Sequence, residues 1–205
     1  PLRELDISAT GFNDEGAHCL KAFPHLELLR IQHAEAISLA GISEIASLSQ
    51  LVHVALRYLD PVPEGAIEEL SRLKQLHTLD LGHSRPISHE DLRVIAGWPT
   101  LKVLQLAGTG LDDAALACLS GSSLVSLQIA ENDISDRGLL SLVARPSLKS
   151  IKISVAEGKL TLEGVKRFQK LRPDCKLISG SMMSAREFMS EIDFDENRLD
   201  TSGSE

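Results

Sequence analysis

Residues 76–106 read LHTLDLGHSRPISHEDLRVIAGWPTLKVLQL. The strings LHTLDL and LKVLQL share the spacing L-x-x-L-x-L and begin 25 residues apart, at Leu76 and Leu101. Apolar residues at alternate positions of a short stretch describe a strand with one buried face, and the return of that string after a fixed interval describes a structural repeat.

The same spacing begins at Leu2, Leu26, Leu51, Leu76, Leu101, Leu124 and Leu148, which makes seven units of 23 to 25 residues. Each unit supplies three inward residues, for instance Leu51, Val54 and Leu56, or Leu124, Leu127 and Ile129. The second half of each unit also repeats, with an apolar residue (Phe12, Ile37, Val62, Ile87, Leu111, Ile134, Leu160) ahead of a helical pattern such as TLEGVKRFQKL. In that string Val165, Phe168 and Leu171 fall on one helical face. Asn13 and Asp14, Ser135 and Asp136, or Thr161 and Glu163 suit a helix N-terminus, where oxygen atoms accept from free N–H groups. Pro24, Pro99, Pro146 and Pro173 end the helices. Each unit is therefore strand, turn, helix, and strands that all run the same way stack in parallel. Position nine of the units holds Thr10, Ala34, Leu59, Ser84, Thr109, Asn132 and Ala156. A polar side chain there can satisfy the backbone of the turn between repeats. Ala34, Leu59 and Ala156 cannot, so those turns are expected to be looser or differently shaped.

With TGFNDEGAHCL, GTGLDDAALACL, ENDISDRGLLSL and the closing FQKLRPDCKL, residues 1–180 resemble leucine-rich repeats of the cysteine-containing, ribonuclease-inhibitor-like type, and in particular the bacterial kind abundant in planctomycetes. The expected fold is an α/β leucine-rich repeat solenoid, a horseshoe of about seven repeats with a parallel concave sheet and convex helices. The resemblance implies protein binding on the concave face and carries over no catalytic residue.

Composition narrows the function classes. A core can be built from 43% hydrophobic residues, but aromatic residues make up only 3%, which leaves little to stack on nucleic-acid bases. The net charge of −8 and pI near 5.4 disfavour a nucleic acid or an anionic membrane as partner. No apolar run approaches the roughly 20 residues needed to span a bilayer. The chain reads as soluble. Cys19, Cys118 and Cys175 form no C-x-x-C pair or even framework, so a reducing, cytoplasmic compartment fits better than secretion. All three are expected to be buried structural thiols. G-x-S-x-G, H-E-x-x-H, G-x-x-x-x-G-K-[ST] and a strand-borne G-x-G-x-x-G are absent, and the chain is read as a non-enzyme with no cofactor.

The position that follows each strand reads Ala9, His33, Tyr58, His83, Gly108, Glu131 and Val155. Two imidazoles and a phenol therefore stand in a row, beside the outward strand positions Arg30, Gln32, Arg57 and Asp80. Arg30, His33, Arg57, Tyr58, Asp80 and His83 are the candidate partner-binding patch, since Tyr and Arg often anchor interfaces. A solvated surface is the alternative. A metal site is disfavoured because His33 and His83 are two strands apart with no third ligand.

The text changes after residue 180. Residues 181–194 contain Phe188, Met189, Ile192 and Phe194, a candidate cap helix over the last repeat or a short binding motif, and 195–205 form an acidic tail expected to be disordered. The chain is thus expected to be an interaction scaffold for another protein of undetermined identity. The alternative is the recognition arm of a larger enzyme or signalling protein, such as a ubiquitin-ligase-type adaptor, whose other domain lies upstream of Pro1.

Overall fold

A computed structural model describes residues 1–34, 36–154 and 159–179. Eight strands, β1 (Glu4–Asp6), β2 (Leu28–Gln32), β3 (His53–Arg57), β4 (Thr78–Asp80), β5 (Val103–Gln105), β6 (Ser126–Gln128), β7 (Ser150–Ile153) and β8 (Lys176–Ser179), form one parallel sheet in sequence order. Between them lie α1 (Asp14–Cys19), α2 (Leu39–Ala46), α3 (Ala66–Leu70), α4 (His89–Ala96), α5 (Asp113–Cys118), α6 (Asp136–Ser141) and α7 (Leu162–Leu171). Neighbouring helices need about 8–10 Å and neighbouring strands about 4.8 Å, so a stack of such units bends with the sheet on the inside.

The inward positions of the repeat become the core. Leu29, Leu51, Leu56, Leu76, Leu79, Leu104, Leu106, Leu127 and Ile151 are all 0% exposed. Phe168 of α7 and Trp98 between α4 and β5 pack into the same apolar layer. The first unit departs from the pattern: Leu2 is 43% exposed, and Leu5 and Ile7 are only partly buried, because they lie at an open end of the stack. β8 was not among the seven strands expected. Its string, DCKLIS from Asp174, keeps one Leu of the three apolar positions. What seats it is Arg172, 7% exposed, whose guanidinium donates to the carbonyls of Val143, Arg145 and Leu148 and to the Asp174 carboxylate.

Helix N-termini interlock between repeats. Ser38 caps α2, and both its amide and hydroxyl donate to the carboxylate of Asp14 in the preceding unit, which also accepts from the Gly41 amide. Ser135 leans in the same way on Asp113, and Thr161 on Asp136. The rung explains a glycine. A Cβ on Gly41, Gly138 or Gly164 would meet that carboxylate at 2.4, 2.1 or 2.0 Å.

The turns between repeats share one backbone shape. Ala9, His33, Tyr58, His83, Gly108 and Glu131 all adopt left-handed conformations with φ between 56° and 64°. The looser turns expected at Ala34 and Leu59 are not found: both residues are buried apolar contacts, and the Leu59 amide donates to Ser84 Oγ of the next unit. Ala156 lies outside the described residues, as do the candidate cap helix 181–194 and the tail 195–205. The cysteines correct a further expectation. Only Cys175 is buried, which pushes its thiol pKa up; Cys19 is exposed and Cys118 half-buried, because they sit near the solvent side of α1 and α5. Among the described residues no helix is long and apolar enough to cross a membrane.

Candidate functional site

The left-handed residue after each strand has its amide tied to the next unit. The His33 amide donates to the Arg57 carbonyl at 3.1 Å, Tyr58 to Gly82 at 3.1 Å and His83 to Ala107 at 2.7 Å. Side chains at this position therefore step along the solenoid with the spacing of the strands. Three of them are flat rings, and they stack. His33 and Tyr58 have centroids 4.3 Å apart and planes 12° apart; Tyr58 and His83 are at 4.7 Å and 5°. Rings at this separation also attract one another beyond the area they cover.

The fourth place in the row is Gly108. A Cβ there would stand 2.5 Å from His83 Nδ1, so the imidazole lies against bare backbone. At the other end, Ala9 offers only a methyl group, and His33 is exposed. The row is closed at one end and open at the other.

Arg57 joins the row to the concave face. Its guanidinium carbon is 5.4 Å from the Tyr58 ring centroid, and its Nε is 3.8 Å from Asp80 Oδ2. The Arg57 side chain is 14% exposed and that of Asp80 3%. Asp80 Oδ1 accepts from the Gly82 amide at 2.8 Å. Burial pushes the Asp80 carboxyl upward from the usual carboxylate range, opposed by Arg57, the Gly82 amide, His83 and Arg30. Asp80, expected at an outward position of the patch, is desolvated and anchors Arg57. Arg30 is partly buried on β2, in register with Ala55 of β3 and, one strand further, Asp80. All six sequence candidates fall on units two to four, along one edge and the adjoining concave surface.

The concave register continues where the sequence drew no attention. Asp80 pairs with Gln105, Gln105 with Gln128, and Gln128 with Lys152 on successive strands. They are 2%, 3%, 5% and 1% exposed. Polar residues at outward positions read as solvated; these four are desolvated. Position nine supports the same edge in the second half of the molecule. Asn132 Oδ1 accepts from the Thr109 and Leu111 amides, and its Nδ2 donates to the carbonyls of Leu106, Ile129 and Ala130.

Tyr58 lies between His33 and His83, which separates the two imidazoles. Among the described residues, no three His, Cys, Asp or Glu side chains gather as metal ligands. The other histidines do not enter the patch except His53, which pairs with Leu28 and Thr78 on the concave face.

A leucine-rich repeat family model matches residues 1–21 and 122–143. The chain also matches the structure of an internalin from Listeria monocytogenes at 14% identity and a TM-score of 0.53. The match covers 89% of this chain and 62% of the internalin, so the chain spans less than two thirds of that protein. No curated protein matches.

Proposed function

We propose that this chain, a leucine-rich repeat protein, is a non-enzymatic scaffold that binds another protein on its concave face, with the ring row of units two to four at the centre of contact. The observation that carries the reading is the stack of His33, Tyr58 and His83, held in place by backbone hydrogen bonds and flanked by Arg57. Stacked, backbone-tethered rings lose little freedom when a partner arrives, and Tyr and Arg are the side chains that most often dominate interface energies. A solenoid adds pre-formed curvature, so little ordering cost falls on the scaffold. The partner is another protein; the acidic chain and its scarcity of aromatic residues speak against nucleic acid.

A photoreactive amino acid placed at His33, and in a second preparation at Lys166 on α7, tests this. Capture of one specific protein from His33 and not from Lys166 is the expected result. That protein should then bind Tyr58→Ala and Arg57→Ala more weakly, by over about 1 kcal/mol each. Capture from Lys166 alone, or undiminished affinity of both variants, would move the binding site off the concave face.

A further inference from the structure

The concave face has a hollow in it over β2 to β5. In the outward row that crosses these strands, Ala55 of β3 stands in register between Arg30 of β2 and Asp80 of β4, and Gln105 of β5 follows Asp80. One methyl group among three larger polar side chains leaves a gap of about 280 Å³, its open mouth included, with Leu28 and Ala55 in its apolar lining. Pockets that enclose whole metabolites run from about 300 to 1,000 Å³, so this one has room for the head of a single side chain.

Two polar atoms in the lining are unmet. Asp80 Oδ2 and Gln105 Nε2 are out of contact with water and have no hydrogen-bond partner among the described residues, on residues 2% and 3% exposed. The Arg57 Nε that faces Asp80 Oδ2 is 3.8 Å away, too far for a hydrogen bond. A buried acceptor and a buried donor left unmade are costly, and here they stand on neighbouring strands, about 4.8 Å apart. The charges around the hollow then select the occupant. Arg30 and Arg57 repel an ammonium group, and Asp80 repels a carboxylate. A neutral head that carries a donor and an acceptor side by side meets neither objection.

We propose that the hollow receives a primary carboxamide, the side-chain head of an asparagine or glutamine on the partner protein, its NH2 donating to Asp80 Oδ2 and its oxygen accepting from Gln105 Nε2. The nitrogen and oxygen of a carboxamide sit on one carbon, so one planar head answers both atoms at once. A hydroxyl also donates and accepts, but it leaves most of the hollow empty. That the carboxamide comes from a partner protein rests on the concave-face reading above; the preference of the hollow for that group does not.

The test adds acetamide, acetate, methylammonium or methanol to the full chain with no partner present. Methyl NMR signals of Leu28 and Ala55 report the hollow, and that of Ala130, beyond β6, is the control. Saturable shifts at Leu28 and Ala55 with acetamide, at about one tenth of the concentration the other three need, and none at Ala130, are the expected result. Gln105→Leu removes the donor while keeping its bulk, and Ala55→Val fills the hollow while leaving Asp80 and Gln105 in place. Each should abolish the acetamide shift at Leu28, with the other methyl signals unchanged. Preference for acetate would make the hollow an anion site of the arginines, preference for methylammonium a cation site of Asp80, and preference for methanol a hydroxyl site; each overturns the proposal. Equal response to all four, no response to any, or an acetamide shift that survives in either variant overturns it too. Such a failure leaves the photocapture at His33 standing. Capture from Lys166 alone would move the partner elsewhere and leave the acetamide result untouched.

Discussion

Units two to four and units five and six turn the same corner with the same backbone, φ 58° to 60° in the first and 59° to 64° in the second, yet hold it by different means. In units five and six the turn is held from within by Asn132, which gathers two amides and three carbonyls around one side chain. Thr109 Oγ1 adds a bond to the Leu106 carbonyl. In units two to four position nine holds Ala34 and Leu59, neither able to do this, and Ser84 alone bridges a turn, from the Leu59 amide to the Leu56 carbonyl. There the corner is lined from outside by the rings of position eight. The contrast separates two uses of one loop. Where hydrogen bonds hold the turn, the place of the ring is taken by Gly108 or Glu131. Where they are sparse, the residue at that place is a ring that both ties neighbouring units together and faces outward.

Substitutions sharpen the contrast by degrees. Leu79→Ala removes a fully buried core residue that lies beneath both regions and sets the upper scale at about 2–5 kcal/mol, read from chemical denaturation. Asn132→Ala should follow at about 2–4 kcal/mol, because it strands several backbone groups at once. If it costs under about 1 kcal/mol, the turn in units five and six does not depend on that side chain. Gly108→Val attacks the junction of the two regions, placing a branched side chain at φ 64° and driving it into the His83 ring. A loss of about 2–3 kcal/mol is expected, together with loss of the ring-current shifts on Tyr58. Tyr58→Ala removes two stacked contacts from a half-buried ring and should cost about 1 kcal/mol. A cost as large as that of Asn132→Ala would mean that the rings bear the turn's stability alone.

The smallest expected effect is one of pH. The Ser38 hydroxyl, followed by the amides of Ser38 and Gly41, holds the Asp14 carboxyl below its usual range, whereas burial holds that of Asp80 above it. A lowered carboxyl contributes stability that is present above the unfolded pKa of about 3.9 and lost as pH falls through the folded value. A raised one works the other way: its desolvation cost is present at neutral pH and is relieved as acid protonates it. Asp14→Asn should therefore flatten the loss of stability below about pH 4, and Asp80→Asn should remove a gain on acidification above about pH 4. Melting temperatures followed between neutral pH and about pH 3 would show the two slopes with opposite sign.

Much of this was legible in the sequence. The strand string placed β1 to β7, and aligning the units placed His33, Tyr58 and His83 in one row at intervals of 25 residues. β8 escaped because Arg172 replaces apolar burial with hydrogen bonds to the preceding unit, a substitution invisible to a hydrophobic pattern. Gly108 was legible as the residue that follows its strand; that its missing Cβ also seats His83 is a property of the neighbouring unit, not of its own string. Asp80, Gln105, Gln128 and Lys152 occupy positions that alternate outward, and alternation reports the face of a strand without reporting how far that face is desolvated. Cys19 and Cys118 mark the same limit on the convex side, where helical phase was known only to within a residue or two.

The carboxylate rungs at the helix N-termini join unit one to two, five to six and six to seven. They are missing where α3 begins at Gly65 without a side-chain cap and where Ser88 of α4 is capped by its own Asp91. The ring stack crosses those same seams, in the turns that lead from each strand to its helix. A gene that grows by duplicating one unit must keep both kinds of joint intact. An extra copy between units five and six can carry its own Asp, Ser and Gly and remake the rung on each side. An extra copy between units three and four would have to bring a ring of its own, and one duplicated from unit five would arrive with Gly108 in that place and leave Tyr58 and His83 parted. The array can lengthen freely toward its C-terminal half, while the stretch from His33 to His83 is constrained to a fixed number of units.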